Sequence, residues 1–249
     1  MYRKPVPPVL VVIAHGSRDP RHAGAVHALV RRVRSLRPGL RVETGFLDFT
    51  VPSVHGVLES LAAQGVRDVV ALPLLLTRAF HAKADIPAVL REAPVQLRIR
   101  QAEVLGPSPL LLTALERRLY EAGLTPADKS STGVVLASAG STDPEAIAVI
   151  AEIAREWRRT GWCAVRPAFA SASLPRTEDA VSELRALGCS RVAVAPYVLA
   201  PGFLPDRIAR GAAQADVLAE VLGPAPEVAQ VLLERYDAAR LPVPAAVGA

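Results

Sequence analysis

The sequence predicts an α/β protein of two similar doubly wound domains, each with a mostly parallel four-stranded sheet flanked by helices. Three observations lead to this prediction. Short apolar stretches alternate with longer amphipathic ones, the short stretches are rich in β-branched residues, and the pattern of the first half returns in the second. Uniformly apolar strands that alternate with helices are typical of parallel sheets covered on both faces.

The first half opens with an apolar strand over residues 9–14, and the loop His15-Gly16-Ser17-Arg18 follows it. Asp19 suits the N-cap position and Pro20 the first helical position, so a helix is predicted from Pro20. Gly65 follows the second predicted helix, as glycine often does. In this half the predicted strands are 9–14, 41–48, 69–76 and 98–105, and the predicted helices are 20–36, 51–64, 85–91 and 107–121.

A linker is predicted over residues 123–132, which contain Gly, Pro, Asp, Lys and Ser. It separates a predicted domain of residues 1–123 from a second of residues 133–240. After it, the predicted strands are 133–138, 164–170, 192–199 and 216–222, and the predicted helices are 144–159, 177–187, 207–213 and 226–239.

An internal repeat links the two halves. His15-Gly-Ser corresponds to Ala139-Gly-Ser at a separation of 124 residues (139 − 15), and Pro73 corresponds to Pro196 at 123 (196 − 73). Three further pairs keep the same order: Phe46 with Phe169, Pro52 with Pro175, and Leu105 with Leu222. A repeat of this length implies two domains of one fold. Two such domains leave a cleft between the carboxyl edges of their sheets, where α/β proteins bind ligands.

Composition excludes several classes of protein. With 51% hydrophobic and 21% charged residues in 249, the chain can form an aliphatic core. The net charge is +5, but no basic run is interleaved with aromatic residues, so nucleic acid is not the expected partner. The apolar stretches are too short for a membrane span. We therefore predict a cytoplasmic protein without membrane association, and favour a monomer over a homodimer.

The cysteines point away from cysteine-based chemistry. Only Cys163 and Cys189 are present, which is too few for a disulfide framework, and their spacing does not match a Cys-x-x-Cys metal site. Both are predicted to be buried free thiols.

The two halves differ in the residues that carry chemistry. All five histidines lie in the first half, and three polar residues at its strand ends are replaced in the second: His15 by Ala139, Asp48 by Ser171, and His81 by Leu204. Imidazole and carboxylate groups suit a divalent transition metal, and histidine can equally act as a base near neutral pH. Both roles stay open for this set. The remaining histidines are given structural roles: His22, His27 and His55.

Several common motifs are absent from the sequence. There is no Gly-x-Gly-x-x-Gly fingerprint, no Walker-type phosphate loop and no Gly-x-Ser-x-Gly elbow, so an organic cofactor is not expected. Ser17 is expected to hydrogen-bond within its turn. Arginine and lysine side chains near the two strand-end histidines could bind several carboxylates of an acidic ligand, namely Arg18, Arg21, Arg78 and Lys83.

Taken together, these motifs match a known family. The matching segments are Ala14-His15-Gly16-Ser17-Arg18, Gly45-Phe46-Leu47-Asp48, Pro52-Ser53, Leu72-Pro73-Leu74-Leu75-Leu76, Phe80-His81-Ala82-Lys83 and Asp85-Ile86-Pro87. In this combination and order, residues 8–110 resemble the sirohydrochlorin chelatases, class II tetrapyrrole chelatases of the CbiX/SirB type. The second half resembles the degenerate second domain of that family.

The resemblance implies a chelatase fold with its active site in the inter-domain cleft, and a lyase activity. The activity is insertion of Co²⁺ or Fe²⁺ (Ni²⁺ in some relatives) into sirohydrochlorin without ATP, for cobalamin or sirohaem biosynthesis. His15 and His81 match metal-binding and proton-accepting histidines of the family, and Asp48 stands where the family commonly has Glu. The ion is a substrate, and Zn²⁺ also suits these ligand types.

Around the site, Ser17, Arg18, Arg78 and Lys83 are predicted to bind the tetrapyrrole carboxylates. Two rival hypotheses stay open. One is a metal-binding or metal-delivery protein without turnover, which would need neither the cleft nor its basic rim. The other is a diverged relative that binds an acidic tetrapyrrole without inserting a metal.

Overall fold

The computed structural model describes residues 6–78 and 84–240. Its first half is an all-parallel sheet of four strands, in which the first strand lies between the second and the third and the fourth forms the far edge. The strands are β1 (Val9–Ala14), β2 (Val42–Phe46), β3 (Asp68–Pro73) and β4 (Arg98–Gln101), and the helices are α1 (Pro20–Leu36), α2 (Val54–Ala63), α3 (Ile86–Arg91) and α4 (Pro109–Glu121).

The second half repeats this arrangement with the strand order β6-β5-β7-β8, again all parallel. A 3₁₀ turn (Pro126–Ser131) leads into it. The strands are β5 (Thr132–Ser138), β6 (Ala164–Phe169), β7 (Arg191–Tyr197) and β8 (Val217–Leu218), and the helices are α5 (Pro144–Arg158), α6 (Thr177–Ala186), α7 (Phe203–Gly211) and α8 (Pro226–Arg240). The prediction of two similar α/β domains is confirmed.

Several predicted boundaries were wrong. The edge strands β4 and β8 are much shorter than expected, because each pairs with only one neighbour before the chain turns away. Helix α7 begins at Phe203 rather than near residue 207. Pro205 falls in its first turn, where a missing backbone N–H costs no intrahelical hydrogen bond.

Local capping explains why the helices start where they do. Asp19 accepts a hydrogen bond from the Arg21 backbone N–H (2.9 Å) at the start of α1, and Asp143 does the same for Glu145 (3.0 Å) at the start of α5. A proline follows each aspartate. These matched caps place the two β-strand-to-helix loops equivalently in the two halves.

The last helix of each half packs on the other half. Helix α4 contacts β7 of the second sheet, whereas α8 contacts β3 and β4 of the first. The largest buried cluster therefore runs through both halves, between the two sheets, while smaller clusters lie under α2 and α3 on one side and under α6 and α7 on the other. Because the two halves share this core, the domain ranges 1–123 and 133–240 stay a prediction.

The cysteines differ from expectation in one respect. Both are free, but only Cys189 is buried; Cys163 is exposed, because it lies in the loop before β6 at the amino-terminal edge of the sheet. Their sulfur atoms are 3.7 Å apart. Among the described residues, no helix is both long and apolar enough to cross a membrane.

Candidate active site

The cleft between the two halves is built on the loop that follows β1. All six residues of β1 are buried, and the next residue, His15, is exposed. Gly16 has φ +93°, and a Cβ there would lie 1.8 Å from the Asp48 carbonyl oxygen. The loop thus crosses directly over the segment that follows β2. Only glycine combines this backbone conformation with so close an approach.

Two adjacent loops bring Asp48 to the side of His15. The Asp48 backbone N–H donates to the His15 carbonyl oxygen (2.9 Å), and the Asp48 carboxylate accepts from the Phe49 N–H (2.8 Å). The Asp48 side chain is exposed. Within residues 6–78 and 84–240, no group of three or more His, Cys, Asp or Glu side chains is assembled into a metal site. His81 and Lys83 lie outside the described residues.

Ser17 serves the turn, as expected. Its hydroxyl oxygen accepts the Asp19 N–H (3.1 Å), its N–H donates to Thr50 Oγ1 (3.3 Å), and its carbonyl oxygen accepts from the same Thr50 hydroxyl (3.1 Å). Ser17 also lines the cleft. The Ser17 hydroxyl hydrogen therefore stays available to a ligand in the cleft.

The two described arginines that were predicted to bind substrate lie beside the cleft rather than along its walls. Arg18 covers the exposed ring of Phe49, with its guanidinium carbon 4.8 Å from the ring centre. Arg78 lines a neighbouring pocket with Glu103, at 3.9 Å between their charged groups, and both side chains are 67% exposed. A surface pair at this distance holds neither partner firmly.

The cleft has a volume of about 410 Å³, and both halves line it. Its first wall carries His15, Ser17 and His22, together with Leu74, Leu75 and Leu76. Along the described residues, the second wall has no charged residue and no histidine. Repeat-related Ala139 takes the place of His15 there. The cleft is therefore asymmetric, with its histidines on the first wall.

His22 is a cleft residue that sequence reasoning missed. Burial lowers the pKa of the His22 imidazole below its usual value, nearby His15 lowers it further, and Asp19 opposes them weakly. In the described part of the chain, its buried Nδ1 has no hydrogen-bond partner. The available signal was the repeat: a separation of 124 pairs His22 with Ala146 (146 − 22), which also lines the cleft. At two repeat-related positions, the first wall thus carries an imidazole and the second wall an alanine.

An ion pair joins the two halves near the cleft. Arg21 at the start of α1 binds Asp19 (2.6 Å) and reaches Asp206 at the start of α7 (2.6 Å). Hydrogen bonds to these two carboxylates, Asp19 first, raise the pKa of the Arg21 guanidinium. The first turn of α7 is thereby tied to the first turn of α1.

Gly16→Ala is expected to lower the unfolding midpoint. A Cβ at this φ, pressed against the Asp48 carbonyl, should cost about 3 kcal/mol, which corresponds to about 6–12 °C in a chain of this size. Thermal unfolding followed by circular dichroism measures it. Gly24→Ala is the matched control: nothing lies within 4 Å of its Cβ, and alanine should stabilise α1 by about 0.5–1 kcal/mol. A Gly16→Ala variant as stable as wild type would contradict the close-approach argument.

Comparison with known proteins identifies the family. The CbiX family model matches residues 9–122 and again 133–239. A sirohydrochlorin cobaltochelatase from Priestia megaterium is 30% identical over 207 residues, which cover 80% of this chain and 66% of the relative. A sirohydrochlorin ferrochelatase from Bacillus subtilis is 27% identical over 81% of this chain and 77% of its own length.

Solved structures agree on the fold. SirB from Bacillus subtilis with Fe³⁺ superposes with a TM-score of 0.80 at 24% identity, covering 94% of this chain and 96% of that one. The SirB chelatase of Bacillus subtilis subspecies spizizenii in complex with cobalt gives a TM-score of 0.76 at 23% identity, covering 94% and 95%. With two family matches that together span most of its length, the chain belongs to the CbiX family.

Proposed function

We propose that this protein inserts a divalent metal ion, Co²⁺ or Fe²⁺, into sirohydrochlorin in the cleft between its two halves, without ATP. The observation that carries the proposal is the asymmetric cleft: exposed His15 and half-buried His22 stand on one wall, and an uncharged wall faces them. Family membership and the names of its relatives support the same reaction. The ion is a substrate of this reaction, not a resident cofactor.

Metal insertion sets two chemical demands that the first wall suits. Two pyrrole N–H protons must leave the ring, and the ion must pass from protein ligands to ring nitrogens. His15 ends a rigid, buried strand, and its exposed imidazole can hold an ion while leaving coordination positions open. Asp48 lies on the adjoining loop, its backbone N–H donates to the His15 carbonyl oxygen, and its exposed side chain supplies a carboxylate. We assign ion binding and proton acceptance to His15 and His81, with Asp48 as the third ligand.

The substrate itself suits the rest of the cleft. Sirohydrochlorin is flat and apolar at its centre and carries eight carboxylates at its edge. Its centre matches the aliphatic lining, and we assign its carboxylates to Ser17, Arg18, Arg78 and Lys83. A net charge of +5 favours the approach of such an anion.

A single chain supplies both walls of this cleft. We therefore propose that the active form is a monomer, which size-exclusion chromatography with light scattering would test. The two free cysteines agree with a cytoplasmic location.

The proposal is tested by an anaerobic absorbance assay of sirohydrochlorin with Co²⁺ or Fe²⁺, with and without enzyme. We expect enzyme-dependent conversion of the spectrum with at least one of the two ions. Tight metal binding without acceleration by either ion would instead favour a metal-delivery protein. Sirohydrochlorin binding without insertion would favour a tetrapyrrole-binding protein.

A further inference from the structure

We propose that Phe203 forms the stacking surface for one face of the sirohydrochlorin macrocycle and so directs the opposite face toward His15. The inference rests on the proposed function and adds a substrate-positioning residue on the second wall of the cleft. It starts from the side chain of Phe203, which is 69% exposed and lines the cleft.

Exposure sets Phe203 apart from most aromatic residues of this chain. Phe46 and Phe169 are buried in the core. Phe49 is exposed too, but Arg18 covers its ring. Across residues 6–78 and 84–240, neither a ring nor a cation packs on Phe203. A large apolar side chain left open to water in a ligand cleft is available for a flat apolar partner.

The fold holds Phe203 in place at the first position of α7. Gly202 before it has φ +152°, a backbone conformation that favours glycine. Ile208, five residues further along α7, is fully buried and packs the helix onto the second half. Asp206, in the first turn of α7, forms an ion pair with Arg21 of the first half. The ring is thus presented by a helix anchored on both sides.

The surroundings of Phe203 explain why it would bind a macrocycle face rather than its edge. Leu199, Pro201 and Leu204 line the cleft with it, and none of them can bind a carboxylate or an ion through its side chain. At the position related to His15, this wall carries Ala139. A ring stacked on Phe203 would therefore turn its other face toward the imidazoles, and the ion would enter from that face.

The repeat supplies a second reason to single out this position. Phe203 corresponds to Phe80 at a separation of 123 residues (203 − 80), just as Leu204 corresponds to His81. The aromatic residue is kept in both halves, while the histidine beside it is present only in the first. Loss of the histidine with retention of the aromatic ring fits a wall that binds substrate and does not hold the ion.

The test compares Phe203→Ala, Phe203→Trp and wild type in two measurements on the full chain. One is the initial rate of Co²⁺ insertion as a function of sirohydrochlorin concentration. The other is an absorbance titration with metal-free sirohydrochlorin, which needs no turnover. Leu187→Ala, an equally apolar exposed site at the end of α6 and away from the cleft, is the control.

We expect Phe203→Ala to raise both KM and Kd for sirohydrochlorin by about five- to tenfold, the effect of one lost aromatic stack. The kcat and the KM for Co²⁺ should stay within about twofold, Phe203→Trp should restore binding, and Leu187→Ala should behave as wild type. Unchanged binding of metal-free sirohydrochlorin by Phe203→Ala would overturn the inference and leave the proposed function intact.

The two proposals fail in distinguishable ways. If wild type binds sirohydrochlorin but inserts no metal, the proposed function is wrong, and the titration of Phe203→Ala still decides whether the ring stacks. If wild type does not bind sirohydrochlorin, both proposals are overturned. Circular dichroism of each variant verifies that its overall helix content matches that of wild type.

Discussion

Replacing His15 by alanine is expected to lower the rate of metal insertion about a hundredfold or more, with little change in stability. The imidazole lies at the carboxyl end of β1, on the histidine-bearing wall of the cleft. Under the proposed function, its loss removes an ion ligand and a base at once, and a positioned base alone contributes about 10²–10⁴-fold. Because the side chain is exposed, its removal opens no cavity in the core.

The matched control for this variant is His27→Ala. His27 is exposed on α1, the helix that follows the His15 loop. Its ring packs edge-on against the Phe46 ring, with 5.8 Å between the ring centres, and it does not line the cleft. The anaerobic absorbance assay should show wild-type rates for His27→Ala and loss for His15→Ala, with unfolding midpoints close to wild type for both. His15→Ala with full activity would refute our choice of site. The family resemblance extends the same expected loss to His81→Ala.

Local signals explain why the first loop could be predicted from the sequence. An unbroken apolar strand, a glycine, and an Asp-Pro pair each restrict the backbone within a few residues, so α1 begins and ends as expected. The internal repeat shows, from the sequence alone, that Ala139 replaces His15 in the second half. Asp48 and His15 lie on neighbouring loops because β1 and β2 are parallel neighbours whose carboxyl ends meet at one edge of the sheet.

Long-range packing explains what could not be predicted. An amphipathic pattern shows that α4 and α8 each have an apolar face, but not which sheet that face packs against. In the structure, each of these helices packs against the sheet of the other half. The place of His22 in the cleft depends in the same way on how the halves pack. The sequence indicates only structural roles for His22 and His27, whereas in the structure His22 lines the cleft and His27 does not.

Because α4 packs on the sheet of the second half, we expect a large loss of stability when Glu116 on this helix is replaced. Its carboxylate accepts hydrogen bonds from Lys129 Nζ (2.6 Å) and from the indole N–H groups of Trp157 and Trp162 (both 3.3 Å). Both indoles are buried. Glu116→Ala leaves two buried N–H donors without their acceptor and removes the carboxylate partner of the Lys129 ammonium group, so we expect about 3 kcal/mol of destabilisation, or about 6–12 °C in the unfolding midpoint.

The control for Glu116 is an ion pair of the same kind on the surface. Glu152 pairs with Arg155 on α5, and both side chains are about 60% exposed. Glu152→Ala should cost about 0.5 kcal/mol or less, because solvent screens exposed pairs. Urea unfolding of the three proteins gives the comparison. Equal small losses at both sites would show that Glu116 does not join α4 to the second half.

The pH dependence of stability separates the charge of Glu116 from its hydrogen bonds. Burial, the largest influence, raises the pKa of this carboxyl, but the hydrogen bond and charge of Lys129, together with the indole donors, outweigh it and lower the pKa below 4.5. A carboxyl whose pKa is lowered by folding binds protons more readily when unfolded. Its stabilisation is therefore full above the unfolded pKa, near 4.5, and disappears as the pH falls through the lower folded value.

Glu116→Gln keeps a hydrogen-bond acceptor but removes the charge. Its deficit in the free energy of unfolding, relative to wild type, should therefore be largest at neutral pH. Between about pH 5 and pH 3 that deficit should shrink, because wild type loses the charge contribution that the variant never had. Other carboxyls with lowered pKa values, such as those of Asp128 and Asp237, change both proteins alike and cancel in the difference. A deficit that stays constant across this range would mean that hydrogen-bond geometry, and not the charge on Glu116, holds α4 against the second half.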